Sequence, residues 1–343
     1  VSAPNDNQIP VTVNQGDDIT DQDFLDTQLA DIFGQVRDDT DADGDLGDPD
    51  SGIPGVTVEL FTDPNGDGDP SDGVLVDSTV TDGSGNYEFT DVEPGDYVVV
   101  ETDPTGYTST ADVDGPNDNR ISVTMPGGVD STDNDYLDTR LYDYGDAPDT
   151  PYATLDANNG ARHALGSIVY LGACVDAESD GQPTAVATGD DLGASSDTFG
   201  TCAVAGDDED GVTVGTLVAG DGSAPVTVDT NKACLLNAWM DWNADGDWDD
   251  AGEQVFTDQV LVDGVNNLTV SVPAGATPGN TYARFRCSTS GGLAPTGTAA
   301  DGEVEDYTIS VVAPTPTPTN TPTVTPTNTP TNTPTNTPTN TPT

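Results

Sequence analysis

Basic residues are what this chain most lacks: seven Lys plus Arg stand against 62 Asp plus Glu, for a formal charge of −55. Neutralising phosphates takes a basic surface, so nucleic acid is excluded as a partner, and an anionic membrane surface is disfavoured for the same reason. Lysine is nearly absent, with Lys232 alone, and histidine is reduced to His163. That histidine has no partner motif, and no G-x-S-x-G, H-E-x-x-H or phosphate-cradling glycine loop accompanies it, so the residues favour a structural or surface role for it and no enzymatic activity. Paired acids of glycosidase type are not informative when acids are this abundant. No run of about 20 apolar residues is present, which speaks against direct membrane insertion. Neither an initiating methionine nor an export signal is visible, and the chain reads as a mature or excised segment.

Four cysteines, Cys174, Cys202, Cys234 and Cys287, include no C-x-x-C pair, which argues against zinc and for disulfides in an oxidising, extracellular setting. Three pairings are possible on paper. Cys174 with Cys202 and Cys234 with Cys287 are favoured, because the second pair sits in two apolar runs, 233–242 and 281–287, that resemble core strands of one domain.

Self-repulsion at this charge opposes compaction unless counter-charge arrives from outside. The acids are arranged to receive it. Three strings, Asp39-Thr-Asp-Ala-Asp-Gly-Asp45, Asp63-Pro-Asn-Gly-Asp-Gly-Asp69 and Asp241-Trp-Asn-Ala-Asp-Gly-Asp-Trp-Asp249, place oxygen ligands at alternate positions with a glycine sixth. A calcium ion takes six to eight oxygens at about 2.3–2.6 Å, and this spacing wraps one. The expected ligands are Asp39, Asp41, Asp43 and Asp45 in the first loop, with Asp48 and Asp50 behind them. In the second they are Asp63, Asn65, Asp67 and Asp69, with Asp72 in reserve. The third has Asp241, Asn243, Asp245, Asp247 and Asp249, and Glu253 falls one place beyond the usual twelfth-position ligand, which suggests a lengthened loop between strands. A solvated acidic turn is the competing account of each loop, and the ligand period favours calcium most in the third. Asp207 to Asp210 and Glu303 to Asp306 show no ligand period. They read equally as strand-end charges or caps.

Length suits roughly two or three domains, and 33% hydrophobic residues in short runs suffice for sandwich cores. An internal repeat is present: Pro4-Asn-Asp-Asn-Gln-Ile-Pro-Val-Thr-Val13 with Asp23-Phe-Leu-Asp-Thr27 recurs as Pro116-Asn-Asp-Asn-Arg-Ile-Ser-Val-Thr-Met125 with Asp135-Tyr-Leu-Asp-Thr139, at a constant offset of 112. A repeat at domain length means tandem modules. The first copy, residues 1–28, holds only two strands' worth, which bury no core alone. Either it ends a preceding module, or its strands complete a sheet in a neighbouring copy by strand donation.

Between residues 29 and 141, alternation such as Val56-Thr-Val-Glu-Leu60 and breakers such as Asp82-Gly-Ser-Gly85 mark an antiparallel sandwich with strands at 31–36, 56–61, 74–81, 87–89, 97–101 and 121–125. Here Gly52-Ile-Pro-Gly-Val-Thr-Val-Glu-Leu60, Thr81-Asp-Gly-Ser-Gly-Asn-Tyr-Glu-Phe89 and Val92-Glu-Pro-Gly-Asp-Tyr97 resemble the B-type repeats of serine-aspartate-repeat adhesins, a Cna B-like group. The resemblance implies a seven-stranded β-sandwich serving as a stalk unit on a bacterial surface, often with calcium. Many Cna B-like modules lock themselves with a Lys to Asn isopeptide bond; no lysine lies between residues 29 and 141, which excludes that crosslink and leaves calcium as the stiffening device.

Residues 142–313 resemble the GEVEDY-type domain of bacterial surface and secreted proteins over nearly their whole length. The carriers are Tyr144-Gly-Asp-Ala-Pro-Asp149, Ala161-Arg-His163, Asp207-Asp-Glu-Asp-Gly211, the string from Trp239 to Glu253, Ala283-Arg-Phe-Arg286 and Gly302-Glu-Val-Glu-Asp-Tyr307. This resemblance implies a second β-sandwich and says little of its role. Trp239, Trp242 and Trp248 fit a sugar-binding face or, more commonly, core packing. The tail, 314–343, is uncharged and settles into Thr-Pro-Thr-Asn repeats, a composition for an extended polyproline II rod or flexible spacer that suits O-glycans on Thr315–Thr343.

The whole reads as an all-β, non-enzymatic extracellular protein: tandem antiparallel sandwiches stiffened by calcium, serving as a stalk or as a subunit of a fibre made of its own copies. A carbohydrate- or matrix-binding module of a larger secreted protein is the alternative.

Overall fold

The computed structural model describes residues 11–18, 27–166, 169–189, 198–203, 208–315 and 331–335. The first unit is built from β1 (Ala30–Asp38), β2 (Ser51–Gly52), β3 (Thr57–Thr62), β4 (Leu75–Val80), β5 (Asn86–Val92), β6 (Gly95–Thr102), β7 (Tyr107–Asp112), β8 (Arg120–Met125) and β9 (Tyr136–Arg140). One sheet runs β4-β3-β6-β8; the other runs β2-β1-β9-β7, with β5 also paired to β1. Strict alternation makes the two faces: in β3, Val58 and Leu60 are buried between half-exposed and exposed neighbours, and in β8 Ile121, Val123 and Met125 are buried in turn. The core between the sheets gathers Ile32, Val36, Val58, Leu60, Phe89, Val99, Ile121 and Tyr136.

Two features depart from the sequence expectation. β1 and β9 pair in parallel, Val36 opposite Tyr136, so this sheet is mixed. Strand β7 was not foreseen, because Tyr107-Thr-Ser-Thr-Ala-Asp112 is half-exposed along most of its length and carries no apolar alternation. With it the unit has nine strands, β2 being a two-residue pairing, where the resemblance implied seven.

The second unit comprises β10 (Tyr142–Tyr144), β11 (Arg162–Ala164), β12 (Cys174–Val175), β13 (Phe199–Gly200), β14 (Val212–Val214), β15 (Leu217–Val218), β16 (Ala224–Val228), β17 (Cys234–Met240), β18 (Gln254–Leu261), β19 (Asn266–Val270), β20 (Gly279–Ser288), β21 (Thr298–Ala299) and β22 (Glu303–Val312). A five-stranded sheet, β15-β22-β20-β17-β18, faces the three-stranded β14-β16-β19 across a core that includes Val226, Leu236, Ala238, Met240, Phe285 and Ile309. β17 and β20 are buried almost continuously, which a sheet solvated on one face would not allow. Their second face is covered by a further layer, β10-β11-β21 with the loop at 145–155: Ala147 N donates to Asp306 at 2.8 Å and Arg286 donates to the carbonyl of Gly297 at 2.7 Å. β11–β21 and β15–β22 are parallel pairs, again against the all-antiparallel expectation. A main-chain relay joins the units: Leu141 N donates to Gly106 O at 2.8 Å, and Leu165 N to Leu141 O at 3.1 Å.

Cys174 bonds Cys202 and Cys234 bonds Cys287. The second bridge ties neighbouring strands, with Leu236 opposite Cys287 in the β17–β20 register. Of the N-terminal copy of the repeat, residues 11–18 are exposed and form no strand, so the strand expected around Val11 to Val13 is absent there; residues 1–10 and 19–26 lie outside the described residues. In the tail, 331–335 are exposed without regular structure, and the rest of the Thr/Pro repeat from 316 on lies outside the described residues.

All three tryptophans of the chain, Trp239, Trp242 and Trp248, lie in the second unit, so indole fluorescence follows its unfolding alone. The Cys234–Cys287 bridge closes 53 residues of sequence; replacing both cysteines by alanine is expected to lower the stability reported by tryptophan in denaturant by about 4 kcal/mol, on the chain-entropy account. An unshifted midpoint would contradict this role for the bridge.

Candidate metal centres

The three acidic loops share one backbone design. The opening aspartate follows a strand and is buried: Asp39 after β1 at 1% exposure, Asp63 after β3 at 3% and Asp241 after β17 at 0%. Its carboxylate accepts the N–H of the sixth-position glycine, Gly44 at 3.0 Å, Gly68 at 2.9 Å and Gly246 at 3.1 Å. Those glycines have φ of 70°, 76° and 99°, a left-handed bend that costs other residues energy, which is why glycine stands sixth. Burial raises the Asp39 carboxyl, but the Thr110 hydroxyl and the N–H groups of Gly44, Asp43 and Ala42 outweigh it and hold the group low and ionised.

Within this frame the loops differ. In the first, oxygens of Asp39, Asp41 and Asp43 lie within 4.8 Å of one another, about the largest separation two ligands of one calcium ion can have. Asp45 is not among them; it accepts Gly47 N at 2.8 Å. Crowding by Asp43, then burial and Asp39, raises Asp41. Arg37 pins the far end of the loop through the carbonyls of Leu46 and Asp48, both at 2.8 Å.

The second loop brings together Asp63, Asp67 and Asp72. Asp69 is drawn elsewhere, capping the 3-10 turn Pro70–Asp72 through Ser71 N and lying 3.6 Å from Arg120. Asn65 turns its carbonyl oxygen to Asp67 N at 3.0 Å and its amide to the Asp67 carboxylate at 3.0 Å.

No three carboxylates of the third loop, all of whose residues are described, come that close to one another. Asn243 donates to Asp245 at 2.9 Å and to Asp250 at 2.6 Å, and Asp247 accepts Asp249 N at 2.9 Å. The Tyr152 hydroxyl donates to Asp241. Glu253 is buried behind the loop, accepting Trp242 N at 2.9 Å and Asp250 N at 3.3 Å, and burial with the nearby Asp241 charge pushes it up to about 7. The loop with the best ligand period is thus the least converged.

The sequence reading missed a fourth group, Glu101, Asp103 and Asp138, whose oxygens also lie within 4.8 Å of one another. Glu101 is on β6 and Asp138 on β9, at 3% and 0% exposure, and none of their four oxygens receives a hydrogen bond. Burial first, then the Asp138 and Asp103 charges, pushes Glu101 up to about 9; burial, Asp103 and Asp38 push Asp138 up to about 7. These groups fit a divalent cation, whose charge would favour the ionised forms that burial opposes. A faint signal existed, an acid at a buried strand position inside the repeated Asp-x-Leu-Asp-Thr string.

The remaining chemical candidates are structural. Trp239, Trp242 and Trp248 are buried, Trp248 between Tyr152 at 4.5 Å and the Arg284 guanidinium at 4.7 Å. Arg284 pairs with Asp306 at 2.6 Å, both fully buried. His163 Nε2 accepts from Arg286 Nε at 3.0 Å while Nδ1 faces the Asp301 carbonyl at 2.7 Å, a set of partners that requires the neutral ring with its proton on Nδ1. Burial, reinforced by Arg286, holds its pKa well below the ordinary histidine value.

Comparison with known proteins accords with this architecture. Residues 30–136 match the SdrD B-like domain model and residues 235–310 the GEVED domain model. The chain carries an SdrD B-like domain followed by a GEVED domain. The second match begins in β17, so it covers the later part of 142–313 and, of the added layer, leaves β10, β11 and the loop at 145–155 outside it. Among curated proteins the chain is similar to a fibrinogen-binding protein of Staphylococcus epidermidis, 35% identical over 140 residues, 38% of this chain and 12% of that one. It is likewise similar to serine-aspartate repeat-containing protein D of Staphylococcus aureus (strain Newman), 33% identical over 135 residues, 38% of this chain and 10% of that one. The match thus spans about a tenth of these relatives' length. Among solved structures, a streptococcal ancillary pilin overlays 84% of this chain and 62% of its own at 12% identity, with a TM-score of 0.27 that carries no argument. The localisation that these matches support is extracellular, at the bacterial surface. No helix among the described residues is long and apolar enough to cross a membrane.

The buried histidine makes a pH prediction. Because its folded pKa lies below the unfolded value of about 6.5, the unfolded chain takes up a proton that the folded one refuses, and stability is lost as pH falls below about 6.5. His163→Gln keeps an acceptor for Arg286 and a donor for Asp301 without titrating. The stability advantage of the wild type over this variant is expected to shrink by up to about 1.4 kcal/mol per pH unit between pH 6.5 and 5, followed by tryptophan fluorescence in denaturant; a difference independent of pH contradicts the assignment.

Proposed function

We propose that this chain is a non-enzymatic, load-bearing segment of a bacterial surface protein, its sandwiches stiffened by calcium, forming a stalk or a fibre subunit. The observation that carries the reading is the common loop design: a buried first aspartate organises each loop from within and turns the remaining acids outward, toward an ion-sized space in the first two. Without a cation those acids repel one another; with one, a long acidic loop becomes a rigid brace between strands. The relay through Gly106, Leu141 and Leu165 supports the mechanical side of the proposal, since it couples the first unit to the second through main-chain hydrogen bonds. Self-association through residues 1–28 and O-glycans on Thr315–Thr343 belong to the same proposal.

The alternative, a carbohydrate-binding module, loses its best feature with the tryptophans buried, as no indole is left exposed to stack on a sugar. A matrix-binding role rests on the likeness to the fibrinogen-binding relative, of which the match covers 12%.

Calcium is expected to raise the melting temperature and protease resistance of the first unit. The gain is about 2.7 kcal/mol when free calcium is a hundredfold above the dissociation constant. Asp41→Asn combined with Asp67→Asn is expected to remove most of that increment while leaving the calcium-free stability within about 1 kcal/mol. Identical melting and proteolysis in excess chelator and in millimolar calcium would overturn the proposal.

A further inference from the structure

Along β22, Glu303, Glu305 and Tyr307 alternate with Val304 and Asp306, and the pairing with β20 tells which way each set points. Glu303 stands opposite Cys287, and Glu305 opposite Phe285. Residues directly opposite in an antiparallel pair share a face, and Cys287 and Phe285 belong to the sandwich core. The two glutamates therefore enter the interior, each at 0% exposure. Glu303 accepts Leu171 N through Oε2, and Glu305 accepts Gly211 N at 2.6 Å through Oε1. These bonds draw two distant segments, around 171–178 and 208–212, against the strand.

On those segments stand Asp176, Glu178 and Asp208, with one oxygen of each within 4.8 Å of the others. Asp176 and Asp208 are 1% and 3% exposed. Asp208 accepts Asp176 N at 3.1 Å and Glu178 Oε2 accepts Tyr144 N at 2.9 Å, so the trio is fixed in place. Two oxygens in this region are buried and receive no hydrogen bond, Glu178 Oε1 and Glu303 Oε1. The charges acting most strongly on both glutamates are carboxylates, Asp143 and Asp208 being common to the two, so the β22 glutamate has the trio among its neighbours. Burial, then these like charges, holds both glutamates well above the ordinary carboxylate range.

We propose that this pocket is a calcium site of the second sandwich, in which Asp176, Glu178 and Asp208 supply the converging carboxylates, with Glu303 of β22 beside them. A buried acid without compensation costs several kcal/mol, and a divalent ion placed among these oxygens removes that cost. The donors are all oxygen: the four cysteines are in disulfides, and His163 is engaged by Arg286 and Asp301. That excludes a thiolate or imidazole site for zinc and fits a hard cation, and carboxylates from several segments suit calcium's flexible shell better than magnesium's hydrated octahedron. Both disulfides brace the pocket, Cys174 two residues before Asp176 and Cys287 opposite Glu303. The site shares no residue with the three acidic loops and does not rest on the proposed mechanical role.

The test uses the full chain, stripped with chelator and titrated with calcium, with bound ions counted after dialysis. Glu178→Gln combined with Asp208→Asn is expected to lose one equivalent, whereas Asp41→Asn with Asp67→Asn and Asp245→Asn is expected to retain it. In the wild type, calcium is expected to slow amide exchange at 171–178 and 303–311, and magnesium at the same concentration to leave it fast. Unchanged stoichiometry in a folded pocket variant would overturn the proposal, as would exchange at these segments that ignores calcium or responds equally to magnesium. If the pocket variant does not fold, the wild-type exchange result decides alone.

Discussion

The scarcity of positive charge governs this molecule. Seven basic residues cannot neutralise 62 acids, and the structure commits most of the seven to local duties. Arg284 is consumed by the buried pair with Asp306 and by three carbonyl and hydroxyl acceptors; Arg286 serves four carbonyls and His163, its own pKa pushed down to about 9 by burial and by Arg284. Arg37 holds the first loop, and Arg140 lies over the Tyr107 ring at 5.0 Å. Little internal charge is left for the acids turned inward at Glu101, Asp138, Glu178 and Glu303. Folding alone pushes those groups toward their protonated forms, since an isolated carboxylate in a dry interior is far costlier than its protonated form.

The two units meet this constraint differently. In the first, apart from the buried Glu101 and Asp138, the acids gather at strand ends and in loops around the sandwich rim, where water reaches the outer ligands: Asp41 and Asp43 are exposed while Asp39 is not. The second unit places its acids on the core face of a central strand, and on the opposite face it builds the Arg284–Asp306 and Arg286–His163 contacts beneath a third layer. Alternation along Glu303 to Tyr307 is thus a division of labour, odd positions facing the sandwich interior and even positions facing the added layer. A motif that looks uniformly acidic in one dimension separates into two chemistries once the strand is pleated.

What could be read from the chain follows from locality. An acidic loop carries its ligands within seven residues and its glycine at a fixed place, so Asp39, Asp63 and Asp241 were legible, as were sandwich strands with clean alternation such as Thr57–Thr62. The Glu101–Asp138 and Asp176–Glu178–Asp208 groups join residues tens of positions apart, and among 62 acids no pairing stands out. Strand β7 went unseen because it is half-exposed along most of its length, and the third layer because residues 142–166 offer only strands of three residues. Ligand period and convergence of the carboxylates rank the loops differently. The period counts oxygens but not where they are held, and in the third loop Asn243 donates to Asp250 while Glu253 is held by the backbone of Trp242.

On the calcium proposal, sites at a rim and sites in a core would respond to the ion on different terms. A rim loop keeps its strands paired without the ion, so filling it adds stiffness in proportion to free calcium, and the weak affinities of extracellular modules, about 10⁻⁴ to 10⁻³ M, are adequate for that. A core pocket holds its acids in a place water does not reach, and the energy of the filled site becomes part of the folding energy of the domain. Such a pocket cannot exchange its ion without opening segments that disulfides hold shut. Graded stiffening in the first unit and an ion locked into the second would then both follow from where each fold turns its surplus carboxylates.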